Sequence, residues 1–392
     1  MIKILTLNNI AVEGLRRLPG DRYETASAFA HPDAIIVRSF DMHGMDIPDT
    51  VAAIGRAGAG TNNIPVEAMS KRGVPVFNAP GANANAVKEL VIAGLLLGAR
   101  NLCGAREYVR GLTDTGAALS KTVETAKKKY LGFELPGKTL GVVGLGATGV
   151  VVANAALEMG MKVVGFDPKI TVRRAWQLSA GVVQADTLDQ LFQNADAVTL
   201  HVPLLNGTRD LVNRGKLRLM NDNALLVNFA RGRVANNQAV LAALDSGKLH
   251  AYICDFPTPE LIAHPKVIAL PHLGASTTEA EENCAIMVVE NVKDFLENGN
   301  IRCSVNFPEC RLPRMDAHRL AIANANVPNM VGQITTCLAE AGLNIEDLLN
   351  KSIGDLAYTI VDVNKPVREA TEERLRAIDG VLTLRNLGKP VT

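Results

Sequence analysis

TLGVVGLGATGVVVANAALEMGMKVVGFDP, residues 139–168, is the stretch from which the rest of the chain can be read. Its first apolar run, 140–143, is short and bounded by turn residues, the pattern of a buried strand. GLGATG follows at once, with glycines at 144, 146 and 149. Val150, Val151, Ala155, Ala156 and Met159 then recur at helical spacing, and a second apolar run over 162–166 ends on Asp167. Strand, glycine turn, helix and strand within about thirty residues make the unit that holds a dinucleotide. Gly144 permits the tight turn, Gly146 lets a pyrophosphate approach the backbone, and Gly149 lets helix pack on strand. The helix N-terminus offers N–H groups and partial positive charge to the phosphates. Asp167 lies eighteen residues beyond Gly149. Its carboxylate suits the adenosine ribose diol and repels a 2′-phosphate, so the cofactor expected is NAD rather than NADP.

Composition sets the outer limits. The 392 residues suffice for two or three domains, and 47% hydrophobic content suffices for their cores. A net charge of +1, with acids and bases interleaved, leaves no basic field for nucleic acid. MIKILTLNNI at the start has one lysine and too short an apolar run for a signal peptide. No run reaches the length of about eighteen apolar residues that a membrane span needs. The six cysteines, at 103, 254, 284, 303, 310 and 337, form no CxxC pair. That usage points to a reduced, cytoplasmic protein without a metal site, although a disulfide between Cys303 and Cys310 stays open.

Residues 1–85 alternate short β-like runs (2–6, 34–37, 53–56, 74–77) with helical ones, a parallel α/β pattern. Arg38 and Ser39 follow one strand, and RAGAGTNN, 56–63, follows another; ligands bind beyond such ends. A solvated arginine and a plain glycine turn explain the same residues equally well. Residues 86–108 read as one long, mostly buried helix. After Asp167, strands are expected at 197–201, 224–228, 251–255 and 267–270, and a helix over 276–298. The economical division puts 1–92 with 275–305 in one lobe and 93–274 in a dinucleotide-binding domain. A proline-rich linker, 306–317, then leads to a tail, 318–392, with a strand–helix–strand–strand–helix–strand plan. The fold expected is therefore α/β: two Rossmann-like parallel-sheet lobes, the first discontinuous, plus a ferredoxin-like βαββαβ tail.

Three late residues fall in loops that follow strands of the dinucleotide domain: Arg231 in NFARGR, Glu260 in DFPTPE and His272 in PHLGAST. Hydride transfer from a hydroxy acid needs such a set. An arginine fork fixes the substrate carboxylate. A histidine takes the hydroxyl proton. A carboxylate hydrogen-bonded to the imidazole fixes its tautomer. Lone histidines and turn-capping arginines are common too, so the residues alone leave the catalytic and the structural reading evenly balanced.

GLGATG, NFARGR, DFPTPE and PHLGAST together resemble the D-isomer-specific 2-hydroxyacid dehydrogenases, over residues 1 to about 305. The resemblance implies Arg231 as carboxylate clamp, Glu260 as orienting acid and His272 as base. It implies NAD contacts from Gly144, Gly146, Ala147, Thr148, Gly149, Asp167, Val202, Ala230, Asp255 and Gly274. Arg38, Ser39, Arg56, Gly58, Ala59 and Gly60 match substrate positions. Oxidation of 3-phospho-D-glycerate, the first step of phosphorylated serine synthesis, is the activity implied, with a glyoxylate or hydroxypyruvate reductase or an NAD-sensing corepressor as alternatives. Two positions depart from the family: Ala147 and Thr148 stand where arginine or lysine is frequent, and Leu261 where proline follows the acid. The tail resembles an ACT domain. That implies an L-serine pocket of Asn324, Asn326 and Asn344 and a homodimer or homotetramer, with no nucleic-acid or membrane partner.

Overall fold

The computed structural model describes residues 1–390, so the end of the expected tail, 391–392, lies outside the described residues. Two compact units are present: Met1–Ala82 together with the segment from Glu281 on, and Asn83–Ala280.

In the first unit, β1 (Ile2–Leu7), β2 (Tyr23–Ala26), β3 (Ala34–Val37), β4 (Ala53–Arg56) and β5 (Val76–Phe77) form a parallel sheet in the order β2-β1-β3-β4-β5. β3 is AIIV and buried at every position, as a central strand covered on both faces must be. The order reverses between β1 and β3, and such a reversal opens a crevice at the carboxyl ends. Asn8 follows β1 and Arg38 follows β3, so the two flank that crevice. The helix Thr278–Asn298 covers the sheet, packing Val288, Val289 and Val292 against Ile4 and Ile36.

The second unit holds β6 (Thr139–Val143), β7 (Lys162–Phe166), β8 (Val182–Gln184), β9 (Ala197–Leu200), β10 (Ala224–Asn228), β11 (Leu249–Cys254) and β12 (Val267–Ala269). Their order is β12-β11-β10-β9-β6-β7-β8, all parallel, with the reversal between β6 and β9. This is the doubly wound arrangement expected from the glycine turn. The single helix expected over 86–108 is in fact two, Ala84–Ala99 and Leu102–Arg110. Asn101 breaks them in the left-handed region at φ 51°, where asparagine costs least after glycine. Its side chain is held on both sides, Nδ2 to the Leu131 carbonyl at 3.2 Å and Oδ1 to His250 Nε2 at 3.1 Å. The second helix buries no residue, so the expectation of burial applies to the first alone.

The tail contains β13 (His318–Ala325), β14 (Ile345–Ile353), β15 (Leu356–Val363) and β16 (Val381–Gly388), antiparallel in the order β14-β15-β13-β16. With helices Met330–Glu340 and Glu369–Arg376 it is the ferredoxin-like βαββαβ plan. Side chains alternate across β13. Leu320 and Ile322 face the two helices, while Ala321 and Ala323 join a core with Phe77, Phe295 and Phe307. The two central strands, β13 and β15, are thus buried on both faces. The segment leading to the tail is buried as well: Phe307, Cys310 and Leu312 are each less than a tenth exposed. The Cys303–Cys310 disulfide does not form.

Two arginines fix this junction. Arg319 is fully buried, and its Nε and Nη2 meet Asp362 Oδ1 and Oδ2 at 2.7 Å each. Its other donors reach the Asn298, Leu312 and Pro313 carbonyls, so the whole fork is satisfied. Arg385 donates to the Phe295 and Leu296 carbonyls at 2.8 Å, the end of a helix where a cation is favoured.

Candidate active site

The glycine turn has the shape its residues require. Gly144 sits at φ 92°, where a Cβ would lie 2.8 Å from the His201 carbonyl oxygen. A Cβ on Gly149 would lie 1.9 Å from the Gly144 carbonyl, so helix and turn touch backbone to backbone. Around Gly146 nothing lies within 4 Å of that position, which leaves the backbone open to a ligand. No side chain caps the helix Ala147–Glu158, whose first turn carries Ala147, Thr148 and Gly149. Val202 lines the turn from the end of β9. Asp167 follows β7 and accepts the Leu145 N–H on Oδ2 and the Lys169 N–H on Oδ1, both at 2.8 Å. Each oxygen keeps a second lone pair for a ribose hydroxyl. Open backbone, uncapped helix end and terminal acid fit a dinucleotide.

Asn228, the last residue of β10, is buried. Its Nδ2 donates to the Arg231 carbonyl at 3.1 Å and its Oδ1 accepts from the Ala230 N–H at 3.2 Å, which shapes the loop that carries Arg231. Arg231 is exposed and folds back, Nη1 to the Ala230 carbonyl at 2.7 Å. Asp255 follows β11 and is buried. Its Oδ2 accepts the Gly274 N–H at 3.1 Å, while its Oδ1 has no partner among the described residues. Burial pushes this carboxyl up, against the opposing pull of the Gly274 N–H. An unpartnered buried acceptor suits an amide donor such as a carboxamide.

Glu260 stands in the first turn of the helix Pro259–Ile262. Its own backbone N–H, then Asn237 and Thr258, hold its carboxyl below the usual range. Asn237 Nδ2 bridges Glu260 Oε1 and Thr258 Oγ1, each at 3.3 Å. His272 has φ 32°, a strained value for a non-glycine residue. Its N–H donates to the Asp255 carbonyl at 3.0 Å, and its ring lies 4.9 Å from that of Phe256. Glu260, His272 and Asp255 line one cleft of about 710 Å³. Glu260 is bonded to Asn237 there, not to the imidazole, and the arginine lining the cleft is Arg233 rather than Arg231.

In the first unit, Arg38 forms an ion pair with Glu281, at the start of the helix Thr278–Asn298. Its carbonyl accepts from Arg56 Nε at 3.0 Å. The Ser39 and Phe40 N–H groups both donate to Asn8 Oδ1. Gly58 leaves room for Arg56, whose Nη1 would be 1.9 Å from a Cβ there. The Ala59 carbonyl accepts from Asn78, and half-buried Gly60 follows. In the tail, Asn324 and Asn326 line a cavity of about 150 Å³ with Asn329 and Asn350. Asn344 lies apart from it, its N–H on Asn364 Oδ1 at 3.0 Å. Asn8, Asn228 and Asn237 went unread in the sequence. Asn228 alone left a signal there, a polar residue closing the apolar strand ALLVN.

A doubly wound sheet with a dinucleotide turn, beside a cleft holding a histidine and the carboxylates of Asp210, Asp255 and Glu260, defines a nicotinamide-dependent dehydrogenase. Residues 98–274 match the sequence model of the D-isomer specific 2-hydroxyacid dehydrogenase NAD-binding domain. D-3-phosphoglycerate dehydrogenase of Haemophilus influenzae is 33% identical over 350 residues, 86% of this chain and 81% of that protein. The Escherichia coli K12 protein of the same name is 32% identical over 354 residues, covering 86% and 82%. The Methanocaldococcus jannaschii one is 34% identical over 345 residues, and this chain spans 62% of its length. Among solved structures, NAD⁺-bound 3-phosphoglycerate dehydrogenase of Entamoeba histolytica aligns at TM-score 0.59 and 25% identity, covering 78% of this chain and 98% of that one. The chain belongs to the D-isomer-specific 2-hydroxyacid dehydrogenases.

Proposed function

We propose that this enzyme oxidises 3-phospho-D-glycerate to 3-phosphohydroxypyruvate with NAD, reversibly, as the first step of phosphorylated L-serine synthesis. The observation that carries the reading is the run of relatives with that activity, aligned over 85–86% of the chain. Bound NAD supplies the hydride acceptor. Gly144, Gly146, Ala147, Thr148 and Gly149 present backbone to its pyrophosphate, Val202 and Ala230 flank it, and Asp167 takes the ribose diol. Asp255 and Gly274 accept and frame the carboxamide end.

Arg231 turns from the Ala230 carbonyl to fork the substrate carboxylate. His272 removes the hydroxyl proton as hydride leaves C2 and returns it in the reverse direction. Glu260 is ionised and in the same cleft; on exchanging Asn237 for the imidazole it stabilises the imidazolium. Arg38, Ser39 and Arg56, with the Gly58–Ala59–Gly60 backbone, hold the phosphate. The tail acts as an ACT-type module in a homodimer or homotetramer. L-serine enters the cavity of Asn324 and Asn326, and a second copy supplies Asn344. Both side chains are already paired internally, Asn324 with Ala325 and Thr359 and Asn326 with the Gly354 carbonyl, so L-serine exchanges with those partners on entering. Six thiols free of disulfides suit a cytoplasmic enzyme.

The test is oxidation of NADH with 3-phosphohydroxypyruvate, hydroxypyruvate and glyoxylate side by side, repeated with NADPH and with L-serine. Preference for the phosphorylated acid with NADH is expected. Preference for glyoxylate would assign a reductase instead. NADH binding without turnover would assign a sensor. L-serine without effect at millimolar levels would leave the tail a means of assembly.

A further inference from the structure

Among the described residues, Glu281 is the acid that is ion-paired with the proposed phosphate arginine. It lies in the first turn of the helix Thr278–Asn298, and its Oε2 is ion-paired with Arg38 Nη1. The backbone of the loop is fixed. The Arg38 carbonyl accepts from Arg56 Nε at 3.0 Å and Asn63 Nδ2 at 3.3 Å, and the next two N–H groups are held by Asn8. The Arg38 side chain can change partner without breaking those hydrogen bonds. The pair is partly open, 29% exposed on the arginine and 44% on the glutamate, so solvent screens it and ligands reach it. A phosphate monoester brings about −1.5 to −2 charge and three acceptor oxygens, and an arginine fork holds it more strongly than it holds one carboxylate oxygen.

We propose that Glu281 sets the charge specificity of this strand-end site. It is an internal counter-anion on Arg38 that an incoming phosphate displaces, and it then remains beside that phosphate as a like charge. The glutamate offsets the positive charge of Arg38 at this strand end. A bare inorganic anion, with no carboxylate or hydroxyl to add further contacts, then competes poorly for Arg38. The phosphorylated substrate binds less tightly than Arg38 and Arg56 alone would hold it. The proposal rests on the reading of Arg38 as the phosphate arginine.

The experiment measures KM for 3-phosphohydroxypyruvate and hydroxypyruvate, and inhibition by inorganic phosphate, in Glu281→Gln, Arg38→Ala and the double variant. Glu281→Gln should lower KM for the phosphorylated acid by about three- to tenfold and tighten inorganic phosphate alike, with hydroxypyruvate moving less than about twofold. The gain should vanish in the double variant. An unchanged or raised KM for the phosphorylated acid in Glu281→Gln, beside a loss in Arg38→Ala confined to that acid, overturns the proposal and leaves the phosphate reading standing. An equal loss on both acids in Arg38→Ala overturns the phosphate reading itself.

Discussion

The tail sheet and the carboxyl ends of β10–β12 use the same side chains in opposite ways. Arg319 in the tail has every donor engaged and no exposure. Arg231 at the strand ends is exposed and commits one nitrogen to its own loop. The histidines divide likewise within the second unit. The backbone N–H of His201 donates to the Val143 carbonyl at 2.8 Å, and its ring is held through Nε2, 3.0 Å from Thr199 Oγ1. His272 stands exposed on a strained backbone. A side chain whose hydrogen-bonding capacity is filled from within can only hold the fold. One left partly unfilled beside a cleft is available to a ligand, and residue type alone does not separate the two.

Substitutions at these residues probe that contrast. The largest effect is expected at the open histidine. His272→Ala should cut kcat by about 10² to 10⁴, the worth of a positioned acid–base group, with NADH binding retained. Single-turnover rates and NADH fluorescence titration measure the two, and near-normal turnover would remove His272 from the chemistry. Next is the closed arginine. Arg319→Ala leaves the Asp362 carboxylate buried without its partner and should cost about 3–5 kcal/mol of stability, read by denaturant unfolding. An apolar pair, Arg319→Met with Asp362→Leu, should recover most of it. A loss confined to KM would instead place Arg319 among the ligand groups.

The smallest effect lies at the closed histidine. Burial holds the His201 imidazole neutral, its pKa lowered from 6.5 to about 4. Between those values the unfolded chain binds a proton there that the folded chain does not. Stability therefore falls as pH drops through that window, by up to about 1.4 kcal/mol per pH unit for this proton. His201→Asn keeps a partner for Thr199 and should flatten the slope, as unfolding at several pH values would record. An unaltered slope would mean that water reaches the ring.

What the sequence made legible was local. The glycines at 144, 146 and 149 and the acid at 167 lie within one short unit, so their spacing carries their geometry. β13 was readable residue for residue because HRLAIANA is apolar on both parities. That the central strands of the tail sheet are buried on both faces came only with the structure. Contacts between distant positions were not legible: Arg38 with Glu281, Asn8 with Ser39 and Phe40, and Asn237 with Glu260 are set by topology, and no periodicity encodes them. The break at Asn101 escaped because its neighbours are good helix formers and its partners, Leu131 and His250, come later in the chain.

The core shared by Ile4, Ile36, Phe77, Ala321, Tyr358 and Ile360 also bears on how the chain is made. On a ribosome the first strand emerges more than three hundred residues before the strands that cover it. At a synthesis rate of about 5–20 residues per second, the first sheet waits roughly 15–60 s for its last covering layer. The segment Asn83–Ala280 is continuous and needs no such wait. Vectorial synthesis thus completes the nucleotide-binding unit first, while the earliest residues depend longest on chaperones that shield apolar surface.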